Sequence, residues 1–273
     1  MKRGLFCEIS PLTYRISTAK CIAVRCVRDW LSGRRFCAAR SDERLPVVVC
    51  RHKSLIRRRL GNVDMTLQEN KAVNLTIAAE CLDGILIKPY ETFSFWHAVG
   101  NPTAKNGYLE GLAIIKEHTG KAVGGGMCQM TNLIHWMALH SDLTITEHHH
   151  HDRYDLFPDF NRQVPFGVGT GVLYNYLDYR LTNNTDNTYQ LIIHTDDEYL
   201  CGELRAEKRL DCTYHIYTED ERFIRESDGV YRVGSVYRRT VDARTGNTVN
   251  TELIRSNHAL VMYDTDKLTI ENI

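Results

Sequence analysis

Hydrophobic residues follow a helical rhythm along the first half of this chain and a short alternating one along the second. Ser17 can cap a helix running to about Leu31, with Cys21, Val24, Val27 and Leu31 on one face, Lys20, Arg25 and Arg28 toward water, and Gly33 closing it. The expected arrangement docks the apolar stripe on the body and leaves the basic face wet. A second helix is expected over residues 67–82, where Val73, Ile77 and Cys81 recur at four-residue steps before Asp83-Gly84. A short strand, ILI, follows, and in ETFSFWHAVG the alternation of Phe93 and Phe95 with Ser94 and Trp96 suits a strand or wall element.

The third helical segment is GGGMCQMTNLIHWM and its continuation to His140. Leu133, Trp136, Met137 and His140 fall at i, i+3, i+4 and i+7, which predicts an amphipathic helix from Met127 with Cys128 in its first turn. After Ser141 the period changes. Residues 143–157 and 171–181 read as strands because β-branched and aromatic residues dominate them. Short strands follow at YQLIIHT, YLCGELRAE and TYHIYTE, with a hairpin about Arg244-Thr245-Gly246-Asn247. The predicted class is α+β: a glycine-turn-led helix packed on antiparallel strands, with a β-rich C-terminal part. Shifts in pattern divide the chain into a basic segment with an amphipathic helix (1–60), a core domain (61–205) and a β-rich extension (206–273).

Composition adds a core and a charge asymmetry. The 273 residues are 43% hydrophobic and carry no net charge, yet residues 1–60 hold 15 Lys and Arg against 4 Asp and Glu. That basic arm is either a solvated face or a weak contact with anionic membrane; nucleic acid is not an expected partner. The start, MKRGLFCEISPLTYRIS, lacks the continuous apolar core of a secretory signal, and no window reaches the length of a membrane span. The expectation is a cytoplasmic protein, membrane-peripheral where the arm reaches lipid. Nine cysteines without a C-x-x-C pair fit reduced thiols.

The candidate chemistry lies in the glycine-led helix. Three glycines can form a tight, uncluttered turn, and a helix start favours the thiolate of Cys128 over the thiol. A base is available in TEHHHHDRYDLF; on a strand His149 and His151 would point to one side, His148 and His150 to the other. Asn175 or Asp178, on opposite faces of VLYNYLDYR, could orient the imidazole. Against this stand three other readings: Cys128 as a small buried hydrophobe, the glycines as a phosphate cradle, which lacks the following Lys-Ser/Thr, and a zinc site of Cys128, His149 and His151.

The same residues resemble the VanW family, named for an accessory protein of B-type vancomycin resistance clusters. The likeness rests on NLTIAAECLDGILIKPYETFSFW, VGNPTAKNGYLEG, GGGMCQMTNLIHWMALHSDLTITEHHHHDRYDLFPD and RQVPFGVGTGVLYNYLDYRLTNNT, and spans roughly residues 50–206. The resemblance implies similarity to L,D-transpeptidases, with Cys128 as nucleophile forming an acyl-enzyme with a peptidoglycan stem peptide, His151 as base and Asp178 as third group. Gly125, Gly126, Gln129, Phe93, Trp96, Tyr108 and Asn175 are then candidate substrate contacts. No cofactor or metal is expected. The chain departs from longer, exported relatives in carrying GTGV at 169–172, where they often have an acidic residue before Ala-Thr-Val, and in lacking an export signal. The alternative is a non-catalytic accessory protein that holds the same peptide or a cell-wall precursor.

Overall fold

The computed structural model describes residues 5–58, 64–115, 118–150, 153–156, 158 and 164–272. Its centre is a four-stranded antiparallel sheet in which Val47–Leu55 pairs with Tyr199–Ala206, Tyr199–Ala206 with Tyr189–Thr195, and Tyr189–Thr195 with Leu86–Ile87. Residues 189–193 of the inner strand are all buried, the mark of a strand covered on both faces. The basic N-terminal segment thus supplies one edge strand of the central sheet.

Two helices cover that sheet. The first of them, α2 (Met65–Leu82), follows α1 (Pro11–Leu31) in the chain and starts at Asp64, whose carboxylate accepts the Thr66 N–H at 2.9 Å. Its buried face is Leu67, Lys71, Asn74, Leu75, Ala78, Ala79 and Leu82, while Val73 of the expected stripe is exposed. The four-residue rhythm of Val73, Ile77 and Cys81 therefore marked the neighbouring face; polar Lys71 and Asn74 on the true inner face concealed it.

The expected strand at ETFSFW divides: Thr92–Ser94 is a strand, and Phe95–Val99 turns into a short helix, α3, because Ser94 accepts the His97 N–H. The glycine-led helix, α4, is Met127–Leu139. It is sandwiched rather than amphipathic. Leu133 and Met137 press on Gly202 of the central sheet, and His135 on the other side meets Tyr179 behind a second sheet, Thr92–Ser94 with Arg180–Thr182 with Thr144–Glu147. Helices buried all round are apolar all round.

Residues 143–157 and 171–181 are not continuous strands. Among the described residues the first region keeps only Thr144–Glu147 and Tyr154–Asp155, and the second is a turn in which Leu173 bridges Leu177 and Asn175 takes φ 43° before the strand at Arg180–Thr182. Three long antiparallel strands, Cys212–Glu226, Gly229–Asp242 and Thr248–Val261, form the C-terminal sheet, and the expected turn at residues 244–247 has Gly246 at φ 73°. The architecture is α+β, as expected. This last sheet braces the site: Tyr154–Asp155 runs parallel beside Thr248–Val261, and Asn257 donates to the Phe166 carbonyl at 3.1 Å, fixing the approach to residues 169–172.

α1 reverses expectation twice. It begins at Pro11, capped by a reciprocal Ser10 and Thr13 pair, seven residues before Thr18. Val24, Val27 and Leu31 point to solvent, whereas Arg25 and Asp29 face the body. Among the described residues, no helix is long and apolar enough to cross a membrane.

Candidate functional site

The glycine turn is built by close packing. A side chain at Gly125 would collide with the Gly111 backbone of the hairpin Glu110–Ile115 and His118–Val123, and one at Gly126, which caps α4 at φ 109°, would collide with the Lys71 stem. Asn74 on α2 ties both chains, donating to the carbonyls of Gly125 (2.9 Å) and Leu109 (3.0 Å) and accepting the Leu109 N–H (2.8 Å). The glycines give backbone room to a hairpin and a buried lysine, and so hold the start of α4 in place.

Cys128 stands in the first turn of α4, half-buried, its sulfur deep in the molecule. Burial pushes its thiol up; the backbone N–H groups of Val172 and of Cys128 itself pull the other way without cancelling that effect. The thiolate expected from helix position alone is thus opposed by desolvation. Gln129 points elsewhere, donating to the Ser54 hydroxyl and the Leu55 carbonyl, both at 2.9 Å, and so ties α4 to the end of an edge strand.

Residues 169–172, the GTGV segment, link the cysteine to the histidine run. Thr170 lies on α4, with its N–H on the Asn132 side-chain oxygen at 2.6 Å and its hydroxyl within reach of the Cys128 carbonyl at 3.4 Å. On its other side, His148 Nε2 meets the Gly169 carbonyl at 3.2 Å, and the Gly171 N–H donates to the His149 carbonyl at 2.6 Å. The strand ends at Glu147, yet His148 and His150 lie together as expected, their rings 3.8 Å apart, while His149 turns to Glu147; His148 also packs on buried His135 at 4.1 Å. Burial, then the neighbouring imidazole of His150, takes His148 down to about 3, and burial, then the imidazole of His148, takes His135 well below the usual histidine range. Both are neutral at physiological pH. His135 Nδ1 pairs with the Tyr179 hydroxyl at 3.0 Å, while its Nε2 has no partner among the described residues. His151 lies outside the described residues.

Asp178 is buried and fully engaged. It accepts from the Ser94 hydroxyl (2.6 Å), the N–H groups of Trp96 (3.1 Å) and Tyr179 (2.9 Å) and Arg180 Nε (2.7 Å). Its neighbour Glu147 accepts the Asp178 N–H, His149 Nε2 and both terminal nitrogens of Arg25; burial alone would raise this carboxyl, and these donors instead hold it at about 2. Arg180 continues the network to Asp29 of α1 at 2.6 and 2.7 Å.

Of the candidate substrate contacts, Phe93 and Tyr108 are core residues; the Tyr108 hydroxyl has no partner among the described residues, and burial pushes it up to about 12. Trp96 and Asn175 instead line a cavity of about 570 Å³, together with Trp30, Arg34, Phe36 and Tyr174. Tyr174 meets Trp96 edge-on at 5.6 Å and lies two residues from Val172, so one loop joins the cavity to the thiol. Sequence reasoning missed this cavity and the Glu147 network because both are made by α1 lying across residues 147 and 174–176, a contact that no local pattern encodes. Among the described residues, no three His, Cys, Asp or Glu side chains gather as metal ligands.

A sandwiched helix led by a glycine turn, a cysteine in its first turn and a strap carrying Gly-Thr-Gly-Val to a histidine run define a particular class of α+β protein. This chain belongs to the VanW family: the family description, VanW like protein, matches residues 70–205. It is 35% identical over 237 residues to the vancomycin B-type resistance protein VanW of Enterococcus faecalis, covering 85% of this chain and 86% of that protein. It is also 29% identical over 115 residues to the uncharacterized protein YoaR of Bacillus subtilis, covering 42% of this chain and 36% of that protein. No solved structure gives a significant match.

Proposed function

We propose that this protein is a cysteine-dependent acyl transferase acting on a peptidoglycan stem peptide or a cell-wall precursor, in the setting of glycopeptide resistance that the name of its Enterococcus relative describes. The observation that carries the reading is the place of Cys128, in the first turn of α4 behind the glycine turn and tied through Thr170 and Gly169 to the histidine run. The N–H groups of a helix start favour a thiolate as it forms and supply donors for the oxyanion that its attack on a carbonyl generates.

The free enzyme holds a thiol. In the proposed reaction its proton passes to an imidazole of the 148–151 run, with His151 the first choice, and the sulfur adds to the peptide carbonyl. The C–N bond breaks, the leaving amine takes that proton, and a thioester remains on Cys128. An acceptor amine then attacks the thioester, loses a proton to the imidazole and releases the sulfur. Asp178, with every oxygen already engaged, acts through structure: it fixes Tyr179, which orients His135 under His148. Trp96 and Asn175 offer the substrate wall at the cavity.

A second reading, a non-catalytic protein that binds the same peptide, is favoured by the burial that raises the Cys128 thiol. Intact-protein mass separates the two. After incubation with a stem tetrapeptide or a carbapenem-type acylating agent, a covalent adduct is expected on the wild type and none on Cys128→Ser. Tight peptide binding by both proteins, with no adduct on either, would give the case to the binding protein.

A further inference from the structure

α1 is amphipathic in the reverse of the usual sense. Its polar side faces the protein: Arg25 reaches Glu147 and the Tyr176 carbonyl, Asp29 reaches Arg180, and the Asn175 amide donates to Cys26. Its outer side carries Leu12 (65% exposed), Ile16 (50%), Val27 (55%), Trp30 (82%) and Leu31 (69%). At about 100° per residue these positions fall within an arc of roughly 100°, an apolar stripe along 21 residues of helix interrupted by Lys20. Leu5, Phe6 and Ile9, just before the helix, are also more than half exposed. So large an apolar surface, held outward by ion pairs on the opposite side, is built to be covered.

We propose that this face of α1 lies in the surface of an anionic lipid bilayer. The charges choose the occupant. Arg25 and Asp29 are taken by the body, which leaves Arg15 and Arg28 on the borders of the stripe, Arg34 and Arg35 just past its end, and Lys20 inside it. A second copy of this chain packed on the stripe would bury the Lys20 ammonium in an apolar seam. At a bilayer the lysine stem lies along the acyl boundary and the ammonium reaches the headgroups. Trp30, the most exposed of the large residues, is of the type that settles at that boundary. It also lines the cavity beside Trp96, so docking brings the cavity mouth to headgroup level. The inference stands independently of the acyl-transfer reading.

The test uses the full chain with sedimenting vesicles of phosphatidylcholine alone or mixed equally with phosphatidylglycerol. Binding is expected to the anionic vesicles only and is expected to fall steeply in high salt. Lys20→Gln should weaken it about fivefold, the effect of one surface cation. Val27→Glu with Trp30→Glu should abolish it while leaving the melting temperature unchanged, since both side chains stand in solvent. A readout that needs no variant is quenching of tryptophan emission by brominated lipid, to which Trp30 is open whereas Trp96 is buried and Trp136 half-buried. Equal binding to neutral vesicles, no binding to either kind, or binding untouched by the double variant would overturn the proposal. So would a stable dimer that the double variant dissolves, since that would assign the stripe to a second copy.

Discussion

The guanidinium of Arg25, on the inner side of α1, meets the carboxylate of Glu147 in a two-pronged ion pair of 2.6 and 2.7 Å, 122 residues apart in sequence. The contact fastens a helix of the N-terminal segment to the residue that begins the histidine run, and each side chain is only 17% exposed. Charge-assisted, bidentate and largely screened from water, it belongs to the stronger kind of ion pair.

Its pH dependence follows from Glu147. The carboxyl is near 4.3 in an unfolded chain and about 2 when folded, so the stabilisation is complete above about 4.3 and is lost as pH falls toward 2. Glu147→Gln should cost on the order of 2–3 kcal/mol at neutral pH. The gap between variant and wild type in urea melts should close between about pH 4 and pH 2, and limited proteolysis should find α1 released first. A gap that stays constant across that range would refute the linkage.

Cys128 should behave as a buried thiol in the free protein. Burial raises its ionisation, so near neutral pH iodoacetamide should label it more slowly than Cys26, which is exposed on α1, and its rate should go on rising with pH beyond the ordinary thiol range of about 8.5. Peptide mapping after timed labelling reads this directly. A fast, pH-independent reaction at Cys128 would mean that a partner holds the thiolate at rest.

Lys71 carries a penalty of the opposite sign. Burial, followed by the charges of Arg58 and Arg57, lowers it to about 7 from an unfolded value near 10.4. Between those values the unfolded chain binds more protons, so this residue makes stability rise with pH; below about 7 the penalty is present in full. Lys71→Met keeps the stem against Gly126 and removes the charge. It should stabilise the protein by a few kcal/mol at pH 6, with the advantage shrinking toward pH 10 in parallel chemical denaturation series.

Gly125→Ala should destabilise by about 2 kcal/mol or more, because its new methyl meets the Gly111 backbone, which has no side chain to swing away. Gly169→Ala, at a position with open space around it, should be nearly neutral. Thermal melts of the two variants side by side distinguish a packing requirement from a general need for flexibility.

Asp178→Asn should lower the melting temperature as well as any activity. The buried Arg180 loses one of its charged partners, and two of the four donors meet an amide nitrogen instead of an oxygen, a change on the order of 3 kcal/mol. A residue that acted on the reaction alone would leave the melt unmoved.

Much of this protein is readable from its sequence. Strand identity at residues 189–195 and 199–206 follows from β-branched and aromatic runs, and α4 from its apolar spacing and the glycines before it, because backbone preference and burial act over a few residues. The placement of Cys128 in a first helical turn follows from the same local signals. Tertiary structure decided the rest. The period of α1 gave an amphipathic helix but could not say which face meets the body; ion pairs with Glu147 and Arg180, made by residues more than 100 positions away, turned the polar face inward. Asp178 looked free to orient a histidine until Ser94, Trp96 and Arg180 converged on it. The ionisation of Cys128 depends on how deeply the sulfur lies and on the Val172 N–H, and both are set by long-range packing, which neither period nor propensity records.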